Sequence, residues 1–316
     1  MPSTITHEYY YRDVYDHTNN TFKNTFDMET YRKYSLFAQG HDAFLFLNFW
    51  NLFQQKGNFA KASYIQDHDF QNICLELIRL IRIYGLEDSK ELKLMLYGFI
   101  MHHILDSIVH PYIIYETEHF GLHEAVESYL DGWMIEKNEE SNPKKYPVHK
   151  MIPTLPEVEP STIQVINEAF FHVYHYQNFG SNYIRALHQV NPFLYLFRYD
   201  PVGIKNFGYH IVDKLDLTDS KYFWLSYHNQ FEGYSQYLND EHRVWMNPVD
   251  SSIVSTESFV ELYERAILES VRILNDLEEA IRNDARFEDF EKIIPDVSAI
   301  HGQKCNQDLN FKYLRR

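Results

Sequence analysis

Leu92-Lys93-Leu94-Met95-Leu96-Tyr97-Gly98-Phe99-Ile100-Met101-His102-His103-Ile104-Leu105-Asp106-Ser107-Ile108-Val109-His110-Pro111-Tyr112 is apolar on most sides of a helical wheel, so as a helix it must be buried among others. Asp88 with Glu91 three residues on predicts its start by capping-box spacing. Pro111 predicts its end, with His110 at or just past the last turn, because the residue before proline is pushed from the α region. Upstream, Phe70, Ile73, Cys74, Leu77, Leu80, Ile81 and Tyr84 recur at three and four, predicting an amphipathic helix over 68–84 that Gly85 stops. The apolar run 42–53 reads as a buried helix capped by Gly57. Downstream, a shorter helix is expected over 123–133. Five of the 11 prolines fall in 143–160, a linker or crossing loop. One or two aromatic-rich helices follow over 162–196, then a less regular stretch over 200–220, a helix over 221–239, and a helix over 258–281 opened by Ser258 and Glu261. The expected fold class is all-α, a single multi-helix domain spanning 1–316 with the proline segment strapped across it.

Composition agrees. The 316 residues are 45% hydrophobic and 23% charged, enough for a full core, and hold only 11 Gly and 11 Pro, few breakers for a turn-rich β fold. Net charge is −16, which disfavours nucleic acid as a partner. An acidic chain can still act on anions where bound cations reverse the local sign. Two cysteines, Cys74 and Cys305, exclude a disulfide scaffold. The opening residues, with His7, Glu8, Arg12 and Asp13, lack the apolar core of a signal sequence, and no run is read as approaching the ~18 apolar residues of a membrane span. A cytoplasmic chain without a transmembrane segment is the expectation.

Five of the 17 histidines lie between 102 and 123. His102, Asp106 and His110 stand at i, i+4 and i+8, so they line one stripe of the buried helix; His123, Glu127 and Asp131 repeat the spacing on the next. A buried carboxylate beside buried imidazoles is costly unless paired or bound to metal. Stripes of this kind on adjacent helices are how helical proteins build metal clusters, and imidazole with carboxylate and no thiolate suits zinc, with other divalent metals allowed. A single His on an apolar helix is more commonly a hydrogen-bonded core residue; the shared face of His102, Asp106, His110, His123 and Glu127 is what favours ligation. His103, turned away from His102, reads as packing or support, and His119, between Glu116 and Glu118 in sequence, as a solvated loop residue. Asp131 reads either as a partner orienting a ligand imidazole or as part of a polar face.

These residues resemble the zinc-dependent phospholipase C family. The likeness is carried by Thr6-His7, Ala38-Gln39-Gly40-His41-Asp42, the run Gly98 to Ser107, His110-Pro111-Tyr112, and His123 with Glu127, and extends more loosely to Leu238-Asn239, His242, Trp245, Asn247 and Pro248. The resemblance implies an all-α fold of the phospholipase C and P1-nuclease type with two or three zinc ions. It implies that Asp42, His68, His102 and Asp106 hold one ion, that His110, His123 and Glu127 hold a second, and that His7 joins Asp106 at a third. In two places the chain departs from the family. Secreted members complete the third ion with a mature N-terminal tryptophan, where this chain has Met1-Pro2, and His41 stands where the family often has proline.

The activity so implied is hydrolysis of a phosphoric ester, a phosphodiester or a phospholipid headgroup, by metal-activated hydroxide, with Asp42 as candidate general base. Two other readings compete: an HD-type metal phosphohydrolase, with His41-Asp42 as its dyad, and a non-catalytic metal-binding helical protein. The aromatics Phe170, Phe171, Tyr174, Tyr176, Phe193, Tyr195, Phe197 and Tyr199 suit core packing more than an acyl cleft.

Overall fold

The structure, a computed structural model, describes residues 4–117, 123–144, 146–215, 222–225, 237–307 and 309–314. Helices α1 (Thr4–His17), α2 (Asn20–Thr25) and α3 (Met28–Lys33) lead into a 3-10 segment (Ser35–Leu45). Then come α4 (Leu52–Asp67), α5 (Phe70–Ile83), α6 (Lys90–Glu116), α7 (His123–Glu139) and the single turn α8 (Val148–Met151). After these follow α9 (Pro160–Tyr174), α10 (Phe179–Leu187), α11 (Val190–Phe197), α12 (Ile204–Lys214), α13 (Tyr222–Leu225), α14 (Phe259–Arg282) and α15 (Phe287–Ile293). The strand pair β1 (Trp245–Met246) and β2 (Val254–Ser255) is antiparallel. The described residues are thus mostly helical, with one two-residue strand pair, as composition implied.

Helix α6 is the axis of the fold. The 3-10 segment, α14, α1, α5 and α7 all pack on it, and one buried apolar cluster runs from Ile5 to Cys305. Its length and apolarity would let it cross a membrane, which corrects the reading that no run approaches that test; but 94% of its most apolar window is buried within the fold, the mark of a core helix. Its start also differs by one residue. Ser89 is the N-cap, accepting from Leu92 N at 3.3 Å, while the Glu91 carboxylate accepts from Tyr34 Oη and Glu159 N. Nor does Pro111 end it: the helix continues to Glu116, keeping His110 inside. Proline withholds only its own N–H from the Ser107 carbonyl, and the Gly302 backbone fits so closely over that carbonyl that a Cβ would lie 2.5 Å from it.

The run 42–53 is not one helix. Gly40 just before it and Asn48 within it hold positive φ of 51°, the chain between winds in tight turns, and α4 starts at Leu52 and passes through Gly57. A run apolar on every side carries no period to separate these outcomes. The proline-rich stretch crosses as an ordered strap, with Val148, Ile152, Leu155 and Val158 buried and the Ile152 carbonyl accepting from Asn191. The expected 162–196 region divides into three helices, and the stretch taken as irregular contains α12. Ser258 and Glu261 form the expected capping box. Of the helix expected over 221–239, residues 221 and 226–236 lie outside the described residues, as does His119. Phe170, Tyr174, Phe193 and Phe197 are buried in the core while Phe171 and Tyr195 are exposed, the pattern of packing.

Candidate metal centre

Four elements meet over the middle of α6. Helix α1 brings His7, the 3-10 segment brings His41 and Asp42, α6 brings His102, Asp106 and His110, and α7 brings His123 and Glu127. The approach of the 3-10 segment depends on Gly40, at φ 51° and ψ −141°, where a Cβ would sit 2.4 Å from the His102 ring. The same turn lays the Ala38 carbonyl 3.0 Å from His102 Nδ1.

The i, i+4 stripes converge as their spacing requires. His102 Nε2 lies 3.1 Å from Asp106 Oδ2, and His110 Nε2 4.0 Å from Asp106 Oδ1. Glu127 Oε1 stands 3.1 Å from His123 Nε2 on its own helix and 3.2 Å from His110 Nε2 across the helix pair. His7 Nε2 is 3.3 Å from Asp106 Oδ1, and its ring stacks on His102 with centroids 4.1 Å apart. Three groups of donor atoms, each within 4.8 Å of one another, can hold a metal ion: His7, His102, Asp106; His41, Asp42, His102; and His110, His123, Glu127. Every side chain among them is nearly buried except His123, 22% exposed, so solvent reaches the site on the His123 side. A cavity of about 10 Å³ between Thr6, Asp106, His110, Glu127 and Phe259 has room for about one water.

Proton bookkeeping shows what the site lacks. A carbonyl can only accept, so His102 Nδ1–H donates to Ala38 O, and His110 Nδ1–H donates to Ala299 O at 2.7 Å. Each neutral ring therefore keeps the lone pair of Nε2 on the carboxylate side, and at His110 it is aligned on Glu127 Oε1, acceptor against acceptor. Only a proton or a cation between them makes that favourable. His102 Nε2 and Asp106 Oδ2, though 3.1 Å apart, make no aligned hydrogen bond. Without a cation, burial works to lower the pKa of His102 and His110, but the carboxylates together, Asp106 with Asp42 at His102 and Asp106 with Glu127 at His110, outweigh it and hold both above the ordinary imidazole value. Burial likewise works to raise Asp106 and Glu127, and the facing imidazoles draw both carboxylates well below their usual range. His7 and His41 are pushed down by burial and by the charge of His102.

Of the residues expected as ligands, His7, Asp42, His102, Asp106, His110, His123 and Glu127 are brought together. His68 is not among these donor groups: its Nδ1–H donates to Tyr64 O at 2.9 Å, and its ring stacks on Tyr64 with centroids 4.0 Å apart. The C-cap of α4 turns it back along its own helix. His103 is support, as expected; its Nε2–H donates to Val297 O, its ring lies flat on Phe70, and burial pushes its pKa down to about 3. Asp131 acts on the backbone that carries His7. It accepts from Ile5 N, Thr6 N and Thr6 Oγ1, fixing the first turn of α1, and so the position of His7.

Four contributors stand outside the expected ligand set. His41 was weighed only as half of a dyad; its adjacency to Asp42 was the available signal. Gln66 donates to Asp42 Oδ1 at 3.1 Å, while its carbonyl accepts from Ala299 N. The Ala38 and Ala299 carbonyls leave no trace in residue type. Comparison of the chain with family models, curated proteins and solved structures finds no match.

Proposed function

We propose that this chain is a phosphoric-ester hydrolase of the zinc-dependent phospholipase C type, acting on a phosphodiester or a phospholipid headgroup. One observation carries the reading: the lone pairs of His102 and His110, fixed by backbone carbonyls, face the buried carboxylates of Asp106 and Glu127. That is an arrangement suited to divalent cations, and the all-imidazole and carboxylate donors suit zinc. Bound there, zinc supplies a Lewis acid for a phosphoryl oxygen and acidifies a water. Asp42, with Gln66 on Oδ1 and Oδ2 toward His102 at 3.9 Å, is placed to hold and pass on a proton. Glu127 orients His110 and His123, and His123 stands where substrate arrives. The net charge of −16 repels polyanions, which favours a small ester or headgroup over nucleic acid.

Asp42→Asn and Glu127→Ala are each expected to lower turnover of a chromogenic choline phosphodiester by about 10²-fold or more with far-UV dichroism unchanged. Wild-type turnover in both variants would end the reading. The placing of His41 beside Asp42 and His102 favours a second reading, an HD-type phosphohydrolase. A nucleotide panel run against a phospholipid panel separates the two, and loaded protein inert on both is a metal-binding protein without catalysis.

A further inference from the structure

We infer that His41, in place of His68, joins Asp42 and His102 in holding one divalent cation. This rests on the metal reading above and specifies which residues hold that ion. His41 is wholly buried, and neither ring nitrogen has a hydrogen-bond partner. A buried imidazole with both nitrogens unpaired is costly, so the position calls for an occupant. Its Nδ1 lies 3.6 Å from Asp42 Oδ1, and its ring meets the His102 ring edge-on with centroids 4.5 Å apart.

The spacings suit coordination. Metal bonds of ~2.0–2.1 Å put tetrahedral donors roughly 3.3–3.4 Å apart. His41 Nδ1 lies 3.6 Å from Asp42 Oδ1 and His102 Nε2 3.9 Å from Asp42 Oδ2, and one donor atom from each of the three residues falls within 4.8 Å of the others. His102 has a single lone pair to give, since Nδ1–H is committed to Ala38, so it serves one ion alone. His68 meanwhile is held against Tyr64 by its hydrogen bond and stacked ring.

His41, Asp42 and His102 supply this ion three donors, as His110, His123 and Glu127 supply the second, and three donors leave a tetrahedral position open at each.

The test uses the full chain, loaded with zinc or Co²⁺ and desalted, with metal per chain measured by mass spectrometry. His41→Ala is expected to carry one ion fewer than wild type and His68→Ala the wild-type number. His41→Cys with Co²⁺ is expected to show a thiolate-to-metal charge-transfer band that wild type lacks. This variant decides the matter if His41→Ala does not fold. A full complement in His41→Ala, loss of the ion in His68→Ala, or no band in His41→Cys overturns the assignment and leaves the hydrolase reading standing. Wild type that binds no metal overturns both.

Discussion

Helix α6 carries two buried polar clusters about two turns apart, and they are built on opposite principles. Near its start, Lys93 Nζ lies 3.2 Å from both oxygens of Glu278, which also accepts from Tyr97 Oη at 2.8 Å and from Thr25 Oγ1 at 3.0 Å. The ammonium also stands over the Phe26 ring, 5.1 Å from its centroid. Donors meet acceptors, and one cation meets one anion. At its middle, His102, Asp106 and His110 with Glu127 set lone pairs against carboxylates, and the backbone carbonyls of Ala38 and Ala299 fix that mismatch. Burial is equal in the two places. The first cluster completes itself from protein groups; the second sets acceptors against acceptors and could take a proton or a divalent cation between them.

The largest effect should come from breaking the self-sufficient cluster. Glu278→Ala leaves Lys93 charged, buried and unpaired, a loss expected at about 3–5 kcal/mol. The double variant Lys93→Met, Glu278→Leu should recover most of it, since the pair's desolvation is removed along with its attraction. Urea midpoints for the two variants check this. Neither midpoint shift should depend on metal, and a chelator-sensitive difference would dissolve the contrast between the clusters.

Next in size is the effect of removing the cation. A chelator should lower stability by about 2–3 kcal/mol if the loaded ion stands near 100 times its dissociation constant. The pH dependence then separates the two states. In stripped protein His102 and His110 have pKa values raised above that of free imidazole, so the stability of those pairs is full below about 6.5 and is lost as pH rises through the raised values. Loading runs the other way, because protons on Nε2 compete with the ion, so zinc affinity should rise with pH over the same window. Zinc titrations at pH 6 and 8, with denaturation of the stripped protein at each, read both slopes; parallel slopes would break the scheme.

How much of this could be read from residues alone follows the same division. The helical period exposed α5 and α14, and i, i+4 spacing joined His102, Asp106 and His110 to one face, because those are properties of a repeating geometry. Periodicity could not show that the chain turns at Gly40, ahead of the run 42–53, and again at Asn48 within it, since the run is apolar on every side. Nor could residue type reveal that the Ala299 carbonyl fixes His110, or that His68 folds back on Tyr64. Those outcomes depend on where distant backbone arrives. Pro111 misled for a related reason: one missing N–H within a 27-residue helix buried on most sides does not outweigh the packing that holds its last turns in place.

The smallest effect tests how the mismatched cluster is held. Asp131 on α7 accepts from Thr6 N at 2.8 Å, Thr6 Oγ1 at 2.7 Å and Ile5 N at 3.3 Å, and so sets the first turn of α1 that carries His7. Burial pushes its pKa up to about 7 from 3.8, although the Thr6 and Ile5 donors pull it down. The unfolded chain gives up this proton near the ordinary value and the folded chain only near the raised one. Asp131 therefore makes the protein less stable as pH climbs from about 4 to 7. Asp131→Asn removes the titration and retains one acceptor, with about 1 kcal/mol at stake from the donor it leaves unmet. Denaturation of stripped wild type and variant at pH 4.5 and 7 gives a difference in which the other groups cancel. That difference should shift in favour of the variant as pH rises. A flat difference would mean that Asp131 is ionised throughout, acting as a fixed anion at the start of α1, and that the His7 side of the centre is held by charge.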